Sequence, residues 1–137
     1  VFPNHVYCFN YENPTSPVVI SDKITFTSPG QYIFKILTSP EGAYALDVQQ
    51  GAGFVFMDDD VCAENIYWYV DGTTEIEVNT LLVGNFLTTG YIEAEAEEGA
   101  QALIYGRLLS QADLALQGNA IIDPATLGGD CECTCGE

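Results

Sequence analysis

Apolar and polar residues alternate along most of this chain, in short runs broken by glycine, proline and clusters of acids. In VVISDKITF (18–26), Ile24 and Phe26 point to one side and Lys23 and Thr25 to the other. That two-residue period belongs to a half-buried strand. Ser28-Pro29-Gly30 turns the chain into a second such run, QYIFKIL (31–37), and shorter runs at 43–49 and 54–57 flank Gly51 and Gly53. The opening VFPNHVYCFNY (1–11) and the aromatic CAENIYWYV (62–70) also read as strands, while ENPTSP (12–17), with two prolines, reads as a turn. Nowhere do apolar residues recur at helical spacing over ten positions; only 108–116 leaves that open. The pattern predicts an all-β chain.

From 73 to 122 the pattern nearly repeats. VGNFLTT (83–89) is answered by YGRLLSQ (105–111), with Gly84 and Gly106 22 positions apart, and IEAE at Ile92 is answered by LALQ at Leu114 with the same offset. The related IEVN begins at Ile76, 16 positions before Ile92, so the period is imperfect. Units of about twenty residues built from short strands are the mark of a solenoid, whose rungs bury their inward faces by stacking on neighbours. The expected architecture is a short irregular β-solenoid in one domain (1–122), followed by a Gly/Cys-rich flexible tail (123–137).

Composition narrows the class of partner. The 137 residues are 47% hydrophobic, enough for one core, yet carry 20 acids against Lys23, Lys35 and Arg107, a formal charge of −17. Nucleic acid and anionic membranes need a cationic surface and are disfavoured. No apolar run reaches the roughly 20 residues that span a bilayer. The chain opens on Val1 with no initiator methionine and no hydrophobic leader, so any signal peptide has been removed or was never part of this sequence.

Five cysteines are present: Cys8, Cys62, and Cys131, Cys133 and Cys135 in the tail CECTCGE. Residues two apart on an extended segment face the same way, so the tail presents one row of thiols. An odd number of cysteines points to an oxidising, extracellular or cell- or spore-surface setting, with a thiol left for another molecule. Cross-linking to a neighbouring subunit, received most readily by Cys8, is the leading reading. A thiolate metal site and bonds within the tail are the alternatives, and Cys8 and Cys62 can also be buried small hydrophobes.

Little else carries chemistry. Asp58, Asp59 and Asp60 lack the alternating acids and central glycine of a calcium loop, and read as solvated. Glu93, Glu95, Glu97 and Glu98 read as the outer face of a strand, with Ala94 and Ala96 inward. The one histidine, His5, has no nucleophile motif beside it. No catalytic, cofactor or metal site is expected.

GQYIFKI (30–36), CAENIYWYVDG (62–72), VGNFLTT, YGRLLSQ and LQGNAII (116–122), in that order, resemble the ice-binding-protein-like family of irregular β-solenoids. The resemblance covers 1–122, its later part of the family pattern only, and implies a right-handed β-helix of roughly triangular section. An ice-docking face is expected to be flat and rich in small residues and threonines. Here the outward residues of the best-defined rung are Glu93, Glu95 and Glu97, and the paired threonines are Thr73-Thr74 and Thr88-Thr89. Neither end of the stack has an evident cap, so the leading expectation is the subunit of an extracellular filament. It would polymerise head-to-tail with copies of itself and be locked by inter-subunit disulfides. The runner-up is a monomeric secreted module adhering to ice or carbohydrate.

Overall fold

The computed structural model describes residues 4–9, 17–28, 30–37, 44–56, 63–117 and 121–123. Fifteen strands follow one another: β1 (Asn4–Phe9), β2 (Val18–Ile20), β3 (Lys23–Phe26), β4 (Gln31–Ile36), β5 (Leu46–Val48), β6 (Gly53–Phe56), β7 (Ile66–Val70), β8 (Thr74–Ile76), β9 (Leu81–Thr88), β10 (Ile92–Ala94), β11 (Ala96–Glu97), β12 (Ala100–Gln101), β13 (Leu103–Ser110), β14 (Leu114–Leu116) and β15 (Ile121–Asp123). Among the described residues, every pairing apart from the hairpin of β11 and β12 is parallel. The fold is an all-β solenoid.

Three faces run along its length. The first stacks β1, β4, β7 and the later halves of β9 and β13; the second stacks β2, β5, β8, β10 and β14. The third pairs β3 with β6, and continues through the first halves of β9 and β13 to β15. Leu81 N–H donates to Ala52 O at 3.1 Å and joins these two parts. Coils succeed one another in sequence order, but their lengths differ. Phe34 pairs with Trp68, 34 positions on, whereas Trp68 pairs with Phe86, 18 positions on. The irregularity therefore lies in the corners between strands and leaves the stacking intact.

Register places like residues above like. On the first face the inward rings of Tyr7, Phe34, Trp68 and Phe86 form one column, with Phe34 to Trp68 at 4.1 Å and Trp68 to Phe86 at 5.4 Å between centroids. Near-parallel rings at these distances add roughly 0.5–1.5 kcal/mol per pair beyond their burial. Inward residues of the second face form the columns Leu46, Thr74, Ile92 and Val48, Ile76, Ala94, all at 0% exposure. Phe26 and Phe54 reach in from the third face, and Phe54 meets Trp68 edge-on at 5.8 Å. The indole Nε1–H donates to Val83 O at 3.1 Å, which satisfies the one polar atom of that buried ring.

The 22-residue repeat is a structural register: Gly84 pairs with Gly106, and Ile92 with Leu114. IEVN departs from its expected alignment. Ile76 pairs with Ala94, and Thr74 stands beneath Ile92, so this coil is 18 residues long. A shift of two preserves the inside-outside alternation, so pattern alone cannot exclude it. One further correction applies: Ala63–Asn65 is a single 3₁₀ turn before β7, where an unbroken strand was expected. The region 108–116, which the pattern left open, is strand (β13, β14) with a bend between, in keeping with the all-β expectation. Asp123, placed at the start of the tail by sequence, closes β15; residues 124–137 and the stretch 57–62 lie outside the described residues.

Gly84 and Gly106 mark the corner where β9 and β13 pass from the third face to the first. Both have φ in the range that favours glycine, 118° and 153°. A Cβ on Gly106 would drive into the carbonyl oxygen of Gly84. Gly106→Ala should therefore cost at least about 2 kcal/mol. Gly99→Ala, where a Cβ meets nothing within 4 Å, should cost less. Chemical denaturation of the two variants checks the order.

Candidate functional site

The outer surfaces of the first and second faces differ sharply in charge. On the second face the outward positions of β5, β8 and β10 are Asp47, Glu75 and Glu93, stacked by register. Beside them Glu77 and Glu95 follow two residues after Glu75 and Glu93: Glu77 N–H donates to Val48 O at 2.9 Å and Glu95 N–H to Ile76 O at 2.8 Å. Carboxylates are thus stacked on strands about 4.8 Å apart. Oxygens of Asp47, Glu75 and Glu77 all lie within 4.8 Å of one another.

Neutral donors hold this ladder together. Gln49 Nε2 donates to Asp47 Oδ2 at 3.2 Å, the Gln50 N–H to Glu77 Oε2 at 3.0 Å, and the Tyr44 hydroxyl to Glu93 Oε2 at 3.3 Å. Asp47 Oδ1 is buried without a hydrogen-bond partner among the described residues. Burial, and next the charge of Asp47, hold the Glu75 carboxyl above the usual carboxylate range, with the Tyr44 hydroxyl opposing. Glu95 is pushed up by burial and then by Glu77, Glu93 and Glu97. Burial, followed by Glu75 and Glu93, pushes the Tyr44 phenol up. An all-oxygen donor set of this kind suits a hard cation such as calcium. Sequence reasoning saw Glu93 and Glu95 but missed Asp47, Glu75 and Glu77 as a group. The signal was present in the alternation of Glu75 and Glu77, but their neighbour lies 28 residues upstream of Glu75.

The first face has the opposite character. Its strands carry no acid and hold two of the chain's three cations. One outward row reads Cys8, Lys35, Tyr69, Leu87, Leu109; the other reads Val6, Ile33, Tyr67, Asn85, Arg107, with Asn85 alone of these buried. Tyr69, Leu87 and Leu109 are 44%, 40% and 52% exposed. Arg107 Nη1 donates to Asn85 Oδ1 at 3.3 Å, and the Asn85 amide donates to the carbonyls of Glu64 and Ile66 at 3.2 Å.

At the ends of the described stack, residues of the inward columns come into view. Tyr7 and Phe9 are 43% and 37% exposed at one end, and Leu114 and Leu116 are 46% and 43% exposed at the other. Cys8 lies on β1 at the first of these ends, exposed and unbonded, which corrects the reading of it as a buried hydrophobe. Cys62, Cys131, Cys133 and Cys135 lie outside the described residues, as do Asp58, Asp59 and Asp60. His5 stacks on Tyr32 at 4.6 Å, and its Nε2 makes no hydrogen bond among the described residues.

The raised carboxyls carry a sign. Folding favours their protonated forms, so their contribution to stability is full below the ordinary value of 4.5 and is lost as pH rises through the higher folded values. Glu75→Gln should raise Tm at pH 7 by about 2–4 °C, with the gap closing near pH 4 and narrowing in high salt. Thermal melts at the two pH values check this.

A family model described as Ice-binding-like matches residues 8–122. No curated protein and no solved structure matches the chain. The family is one of binding proteins and points to an extracellular or surface setting; among the described residues no helix is long and apolar enough to cross a membrane. With the family pattern spanning nearly the whole solenoid, this chain belongs to the Ice-binding-like family.

Proposed function

We propose that the chain is a structural subunit of an extracellular filament, assembled by head-to-tail stacking of its solenoid ends. The observation that supports this is the exposure of the inward columns at both ends: Tyr7 and Phe9 below, Leu114 and Leu116 above, against 0% for Ile92 and 1% for Trp68 between them. Among the described residues each end also presents strands with one unpaired edge, β1, β2 and β3 below and β14 and β15 above. Parallel pairing of a second copy would satisfy those backbone groups and bury the apolar ends together. The contact joins two different surfaces and so propagates without closing.

Cysteines would lock the stack. Cys8 stands exposed at the lower end, and Cys131, Cys133 and Cys135 follow the last coil in sequence. A tail thiol of one subunit and Cys8 of the next form one disulfide, passing two protons and two electrons to an extracellular oxidant such as dioxygen. Dissociation then requires reduction. The second reading is a monomeric binding module, and family membership favours it.

Electron microscopy distinguishes the two. Purified protein at moderate salt should form filaments, and Leu114→Glu with Leu116→Glu should leave discrete particles of unchanged secondary structure. Cys8→Ser should keep filaments but abolish the reductant-sensitive ladder on a non-reducing gel. Discrete particles from the unaltered protein, with a single band in both lanes, would leave the monomeric module standing.

A further inference from the structure

The outer surface of the first face needs an explanation separate from the stacking ends, because it runs along the side of the solenoid and stays open in a stack. Tyr67 and Tyr69 stand side by side on β7, with Leu87 and Leu109 on the next two strands. Lys35 lies one strand below the tyrosines and Arg107 two strands above. Three strand spacings separate the two cations, about 14 Å along the axis. Between them lie aromatic and aliphatic groups, with no carboxylate in any strand of the face.

Size and charge select among occupants. Five strands about 4.8 Å apart, with two outward rows, give a patch of roughly 300 Å². A stable protein–protein interface needs about 800 Å² from each partner, so a second copy is a poor fit. A polyanion is repelled by the net charge of −17 before it can reach two cations. A crystalline plane is matched by small residues and threonines, and Tyr69, Leu87 and Arg107 are neither. A neutral chain of sugar rings matches on each count. Its apolar ring faces stack on the tyrosines and leucines, and its hydroxyls accept from Lys35 and Arg107 and donate to tyrosine oxygens. We infer that the outer surface of the first face is a binding platform for an extended, uncharged polysaccharide lying along the solenoid axis.

Pull-down of the full chain on insoluble cellulose tests the inference, with soluble polyuronate and ice-shaping assays run in parallel. Retention on cellulose should persist in 1 M salt, fall at least tenfold in Tyr67→Ala with Tyr69→Ala, and fall severalfold in Lys35→Gln. Glu97→Gln, on the acidic side, should bind as the unaltered protein does, and circular dichroism reports folding of each variant. Absence of retention overturns the inference, as does retention that survives the tyrosine changes. Preference for polyuronate overturns its charge argument, and ice shaping without cellulose binding replaces the occupant. The double Leu114→Glu, Leu116→Glu variant should still bind, since its changes lie at the stack's end; its result separates failure of the platform from failure of assembly.

Discussion

In-register parallel stacking is the constraint on which every other feature rests. No coil of this molecule is wide enough to bury its inward residues alone, so each depends on the coil above and the coil below. Aromatic columns satisfy that dependence best, because a ring covers a ring at van der Waals distance. Phe34, Trp68 and Phe86 hold the middle of the stack in this way. Where the stack stops, the same residue types are left uncovered, and the ends inherit an apolar character that a compact fold would hide.

Stacking also dictates what happens outside. Parallel register brings outward residues of successive coils into files, so a preference at one position is multiplied along the face. On the second face the outcome is a ladder of carboxylates that repel one another and draw protons. On the first it is a file of tyrosine and leucine free of acids. Two surfaces of contrasting chemistry thus arise from one rule of alignment, and the contrast makes a molecule of such high net charge capable of selective contact.

Much of this was legible in the sequence. Alternation gave the strands, and the glycine pair at 84 and 106 gave the register of the last coils, because only glycine tolerates that corner. The alignment of Ile76 was misjudged by two, a shift to which alternation is blind. The first face was hidden for a different reason. Tyr67, Leu87 and Leu109 each look like ordinary strand residues, and their neighbourhood exists only once coils of 34, 18 and 22 residues are laid over one another. The cluster of Asp47 with Glu75 and Glu77 was concealed by the same unequal coil lengths.

The single tryptophan of the chain sits at the centre of the column, flanked by two parallel rings and anchored through its indole N–H. That location makes it a native optical gauge of the stack. Its emission reports a dry environment while the coils remain seated, and turns toward that of hydrated indole when they part. Because the column spans the molecule's middle, fraying at either tip leaves the colour untouched, and only loss of the shared interior alters it.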